Sequence, residues 1–163
     1  MTNYQGKDLI FAMGAPGSRW SGSIRSIQTS IDINSSDDRI HRNYDRDDNG
    51  KTYGWHRGAY WGPNHEFGKS FDILHTITKD EFIEEIKKPF LNWNNGTKII
   101  KSHWFSYNIP LLREWFPEAK LLAFYMPDDF CFDWWHKVGG WNITYPHYDW
   151  YINDERMQAQ IKI

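Results

Sequence analysis

The residue types best suited to chemistry gather in one stretch, Asp8 to Ile27, DLIFAMGAPGSRWSGSIRSI. Its apolar run, Leu9 to Met13, breaks at Gly14-Ala15-Pro16-Gly17, after which Ser18, Arg19, Trp20 and Ser21 lead into a segment able to form a helix. A buried strand entering a glycine-containing turn and then a helix leaves several backbone N–H groups pointing one way, with the positive end of the helix dipole behind them. That is a seat for a phosphate or sulfate. The hydroxyls of Ser18, Ser21 and Ser23 and the guanidinium of Arg19 add side-chain donors to it. The P-loop pattern GxxxxGK[ST], laid on from Gly14, is matched only at Ser21, because Arg19 falls at its second Gly and Trp20 at its Lys. On local sequence alone the turn reads as a nucleotide-phosphate seat or as an ordinary strand-to-helix connection.

Other chemistry-bearing clusters are less complete. Asp45-x-Asp47-x-Asn49-Gly50 matches the first half of a calcium loop, but His56 stands where that loop needs its bidentate Glu. A solvated acidic turn is the competing reading. Lys51 to Gly68, KTYGWHRGAYWGPNHEFG, is a long aromatic and glycine-rich loop, read as a substrate-facing lid or as packing over the sheet edge. His56 and His65 lack metal-ligand spacing with a carboxylate, so no metal is assigned.

The elements that must position these residues alternate. After the first strand, Ser21 to Ser30 forms a short helix with Ile24, Ile27 and Ile31 on one face. Asn34 to Asn49 is a polar surface excursion. Thr78-Lys79-Asp80-Glu81 is an N-cap with an acidic first turn, and Phe82, Ile83, Ile86 and Phe90 supply the stripe of the helix it opens, which ends near Pro89. Asn94-Asn95-Gly96 is a turn, and Lys98-Ile99-Ile100 a strand that runs into Lys101-Ser102-His103. Ile109 to Phe116 is a helix with Pro110 in its first turn, followed by the strand Lys120 to Tyr125. Asp128-Asp129 open a helix from Phe130 to about Val138, closed by Gly139-Gly140, and Tyr148 to Ile163 reads as helical.

Solidly apolar strands alternating with helices predict a parallel sheet covered on both faces, with ligands at the carboxyl ends of its strands. That rule lines up Gly14 to Ser21, Lys101 to His103 and Tyr125 to Asp129 along one edge. With 163 residues, a single α/β domain spanning 1–163 is expected. Net charge is −2 and the isoelectric point about 6.4, so no basic field advertises nucleic acid as a partner. Cys131 is the single cysteine, which excludes a disulfide framework within the chain and suggests a reducing compartment. With no signal-like N-terminus and no run near the roughly 18 apolar residues of a membrane span, a cytoplasmic protein with no membrane partner is expected. Aromatics make up 18% of the chain, including 10 Trp, and their commonest use is core filling. The oligomeric state is left open.

A family resemblance lies in TKIIKSHWFSYNIPLLREWFPEAKLLAFYMPDD, residues 97–129. It resembles the middle of the sulfotransferase family that uses 3′-phosphoadenosine 5′-phosphosulfate (PAPS) as donor: a strand ending Lys-Thr/Ser-His, a helix ending Phe-Pro, a strand opening Ala-Lys, and a turn of the type Arg-x-Pro-x-Asp. The segment GAPGSRWS is similar to that family's GxPRSG or PKSGTT loop, which cradles the donor's 5′ phosphosulfate. The two matches stand in the right order and cover under half of the chain. The resemblance implies a P-loop, sulfotransferase-like three-layer sandwich around a central parallel sheet, and sulfuryl transfer from PAPS to a small-molecule or carbohydrate hydroxyl. It makes His103 the general base and Lys101 a neighbour that stabilises charge on the transferring group. It makes Gly14, Pro16, Gly17, Ser18, Arg19, Trp20 and Ser21 the donor-binding loop. The competing role for His103 is a strand-end histidine bonded to backbone. The acceptor is expected to stack on the aromatics of Trp55 to Trp61 and Trp134 to Trp141.

Three positions depart from the family pattern. Gly17 stands where the first loop has Lys or Arg, with Arg19 two residues on; Tyr125 replaces the Arg of the 3′-phosphate turn; and Asp133 falls where a phosphate-binding Ser is expected. A nucleotide- or anion-binding pseudoenzyme on the same fold, its 3′-phosphate site degenerate, is therefore the alternative.

Overall fold

The computed structural model of the chain describes residues 4–29, 32–34, 45–46, 52–53, 59, 73–137 and 153–162. The acidic turn at 47–50, most of the aromatic loop, the Gly139-Gly140 helix stop and the start of the last helical segment lie outside these residues. The described strands are β1 (Leu9–Gly14), β2 (Asp45–Arg46), β3 (Thr52–Tyr53), β4 (Lys98–Lys101) and β5 (Lys120–Phe124). The helices are α1 (Trp20–Gln28), α2 (Lys79–Lys87), α3 (Trp104–Tyr107), α4 (Ile109–Trp115), α5 (Asp128–Lys137) and α6 (Asp154–Ile161), with a 3-10 turn at Ile73–Thr76.

The three apolar runs pair as expected. β1 lies in the middle, parallel to β4 on one side and to β5 on the other, with Ala12 opposite both Lys101 and Leu122. Parallel pairing requires a crossover between strands, and the intervening helices supply it. Asp45 and Arg46 pair antiparallel with Tyr53 and Thr52.

Helix α2 starts where its cap chemistry dictates. The Thr78 hydroxyl accepts the Glu81 N–H at 3.2 Å while the Glu81 carboxylate accepts the Thr78 N–H at 2.7 Å, a complete capping box. Such caps are each worth about 1 kcal/mol. Its stripe of Phe82, Ile83 and Ile86 is buried. Phe11 of β1 meets Phe82, Phe105 and Phe116 with ring centroids 5.1–6.0 Å apart, which stacks α2, α3 and the end of α4 on one face of the sheet. Lys101, in register with Ala12, projects to the opposite face because successive strand side chains alternate. There its ammonium donates to the Gln28 side chain at the end of α1, at 3.3 Å.

β4 is buried along its whole length although it begins and ends in lysine. Its outer edge is covered: Ile33 bridges Thr97 in parallel, and the Lys101 N–H donates to the carbonyl of Ala59 at 2.8 Å. The aromatic loop is thus tied at Ala59 to the carboxyl end of β4. Lys98 is wholly buried and donates to Asp8. Burial alone would raise the Asp8 carboxyl, but the hydrogen bonds from Lys98 and Tyr4 and the Lys98 charge hold it below the usual carboxylate range. β5 departs from the expectation of a strand buried on both faces: Lys120 and Ala123 are exposed and the other three residues half-buried. It ends the described sheet, whereas β4, also outermost, is covered.

Candidate functional site

The turn after β1 is built from its glycines and proline. Ser18 N–H closes it onto the Ala15 carbonyl at 3.1 Å, with Pro16 and Gly17 at the two middle positions and Gly17 at φ 80°. Proline first and a left-handed glycine second is the residue pair of a type II turn. Gly17 is required twice over, because a Cβ there would also lie 1.8 Å from the carbonyl oxygen of Cys131 in α5. That close approach leaves no room for a side chain at position 17. Gly14 is constrained less severely, since a Cβ on it would meet the Ser18 hydroxyl and the Trp20 side chain at 2.8 Å.

Arg19 is the N-cap of α1 and adopts φ 63°, ψ 10°, a left-handed conformation costly for any residue but glycine. No side chain caps α1 and no acidic residue lies in its first turn, in contrast to α2. Among the described residues the backbone N–H groups of Gly17 and Arg19 have no acceptor. The Ser18 hydroxyl is buried inside the turn and has no hydrogen-bond partner among the described residues. A buried hydroxyl without a partner costs about 1–3 kcal/mol. An uncapped helix start, open N–H groups and an orphaned buried hydroxyl are the kinds of donor that can hold an oxyanion.

The second part of the site arrives from β4. Ser102 Oγ accepts the Trp104 N–H at 3.1 Å, which starts α3 immediately after His103 and fixes the histidine at the helix entrance. His103 Nδ1 lies 2.5 Å from the carbonyl oxygen of Gly14. A carbonyl only accepts, so Nδ1 carries the proton and donates it, and the lone pair of the neutral ring sits on Nε2. Trp20 packs edge-on against the imidazole with centroids 5.0 Å apart. Burial pushes the imidazole down to about 4, against a smaller opposing contribution from the Gly14 hydrogen bond, so the ring is neutral at physiological pH.

The structure therefore brings His103 together with Gly14, Ser18 and Trp20. Trp20 is buried, and its ring packs against the His103 imidazole. Pro16 is buried, and Ser21 is half-buried in the first turn of α1. The ammonium of Lys101 donates to a side chain of α1. It engages Gln28, eight residues along α1 from Trp20 and so about 12 Å down the helix. Tyr125 is 83% exposed and Asp133 is exposed one turn into α5, so neither position offers a cation. The residue that local reading missed as a partner of the turn is Trp134. Its ring receives the Arg19 guanidinium, 3.8 Å from the ring centre. Among the described residues no helix is long and apolar enough to cross a membrane. No protein-family model, no curated protein and no solved structure matches the chain.

Proposed function

We propose that the chain is a small, divergent sulfotransferase-like enzyme on a P-loop-type three-layer α/β fold, moving a sulfuryl group from PAPS to the hydroxyl of a small molecule or carbohydrate. The observation that carries this reading is the contact of His103 with the Gly14 carbonyl, a bond to backbone that sets the imidazole beside the first residue of the anion-receiving turn. The orphaned Ser18 hydroxyl and the open N–H groups of Gly17 and Arg19 fit the 5′ side of such a donor. When bound, the donor supplies an electrophilic sulfur whose bond to the 5′-phosphate oxygen breaks as the acceptor oxygen bonds to it.

The chain's own residues then act as follows. The Gly14 carbonyl holds the Nδ1 proton and so presents Nε2 as the atom that takes the proton of the acceptor hydroxyl. A histidine with a depressed proton affinity is a poor base in the empty protein, but negative charge placed in the adjacent turn favours the imidazolium and raises that affinity. The turn N–H groups and the Ser18 hydroxyl hold the oxygens on which charge accumulates, the preorganised-dipole role that dominates transfer of this kind. Lys101 is not assigned a direct contact in this scheme; it ties the last turn of α1 to β4.

A second reading is a nucleotide- or anion-binding protein whose 3′-phosphate site has decayed. The absence of a cation at Tyr125 and Asp133 favours it. Calorimetric titration with 3′-phosphoadenosine 5′-phosphate and with its analogue lacking the 3′ phosphate separates the two. Both ligands are expected to bind through the turn, with the 3′ phosphate adding less than about 2 kcal/mol, since neither Tyr125 nor Asp133 carries a positive charge to pair with it. Failure of both ligands to bind would refute both readings of the turn.

A further inference from the structure

Arg19 is held in an unusual way. Its guanidinium carbon lies 3.8 Å from the centre of the Trp134 ring, and Lys137, one turn further along α5, places its ammonium 5.3 Å from the same ring. Phe130, one turn earlier, stacks parallel to Trp134 with an interplanar angle of 1°. Cys131 and Trp134 are three residues apart and therefore neighbours on one face of α5. Cys131 presents the carbonyl against which Gly17 is packed, and Trp134 presents the ring that receives Arg19, so this one helix face grips the turn at two points.

The mode of contact matters chemically. A carboxylate partner would occupy the in-plane N–H donors of a guanidinium, whereas an aromatic ring holds the cation by its face and leaves those donors at the edge. Among the described residues no carboxylate pairs with Arg19, and the side chain is exposed. Its backbone is meanwhile kept in the left-handed region, a strain that recurs where a side chain is aimed for a task.

We infer that Trp134 is a positioning residue of the anion site: it clamps the Arg19 guanidinium by its face beside the turn, leaving the N–H edge to bind a phosphate- or sulfate-type oxyanion. This rests on reading the turn as an anion seat. Phe130 fixes the plane of the ring, and Lys137 adds positive charge to the same clamp.

The test is calorimetric titration of the full chain with inorganic pyrophosphate, using the wild type, Arg19→Ala, Trp134→Leu, Trp134→Phe and the Arg19→Ala/Trp134→Leu double variant. Arg19→Ala is expected to weaken binding about tenfold or more, from the loss of one charge-assisted contact. Trp134→Leu, which keeps apolar bulk but has no π face, is expected to lose at least fivefold, and Trp134→Phe to stay within twofold of the wild type. In the double variant the loss is expected to match Arg19→Ala alone, because each change removes the same contact. Binding by Trp134→Leu within twofold of the wild type, or additive losses in the double variant, would overturn the role of Trp134 while leaving the anion seat intact. A wild type that binds no pyrophosphate would overturn both. Independently of any variant's folding, the Arg19 Nε–H resonance of the wild type should move on addition of pyrophosphate. A resonance that stays put while pyrophosphate binds would remove Arg19, and with it Trp134, from the site.

Discussion

His103 Nδ1 and the carbonyl oxygen of Gly14 are joined across 89 positions of sequence at 2.5 Å, tying the end of β4 to the start of the turn that follows β1. The contact sets the tautomer of the imidazole and the place of the turn at once. Without it the two strand ends would merely be neighbours; with it, the atom able to accept a proton is fixed relative to the groups able to hold an anion.

The burial of His103 makes a stability prediction with a definite sign. In the unfolded chain the imidazole titrates near 6.5, and in the folded protein near 4, so between those values the unfolded state binds more protons. Stability is therefore highest above about pH 6.5, declines as pH falls towards 4, and flattens below. The total loss from this group is about 3 kcal/mol. Urea melts of the wild type and His103→Gln at pH 7 and pH 4.5 measure it: the wild type should lose about 2–3 kcal/mol more than the variant over that interval. Equal losses would mean that the ring is not buried as described.

Gly17→Ala should destabilise the fold by at least about 2 kcal/mol, because the position combines a positive φ with a backbone carbonyl where the new methyl would sit. A chemical denaturation midpoint within error of the wild type would show that the turn and α5 are not in contact at Cys131.

At the opposite end of the sheet, Lys98 is wholly buried while its partner Asp8 is 38% exposed. Asp8→Ala strands the buried ammonium and should cost about 3 kcal/mol, the low end for a broken buried pair because water can reach the vacated place. Removing the charge as well, in Asp8→Ala/Lys98→Met, should recover at least about 1 kcal/mol. A double variant no more stable than the single one would contradict the pairing.

The parallel pairing of the strands and the capping of α2 were legible in the sequence for local reasons. β1, β4 and β5 are short runs dominated by apolar residues and bounded by turn residues, and α2 carries both its cap and its stripe within nine residues. Helix α3 was not foreseen, since four residues after a strand end show no period, and the Ser102 hydroxyl that starts it gives no pattern of its own. The turn announced itself through Gly and Pro, but what surrounds it did not. The Lys101 ammonium meets Gln28 at the end of α1, 73 positions away, a pairing outside any local pattern. Arg19 and Trp134 meet only because Gly17 lets α5 approach the turn, a tertiary docking that no local window contains.

The most direct measurement is sulfuryl transfer from radiolabelled PAPS to a broad panel of hydroxyl acceptors, run with the wild type and His103→Gln alongside calorimetric donor titrations. Labelled product from the wild type, a loss of at least about a hundredfold in His103→Gln, and donor dissociation constants within a factor of about three of each other are predicted, because a general base acts on the acceptor and contributes roughly that much. Transfer at equal rates by both proteins, or none by the wild type to any acceptor, would contradict the account.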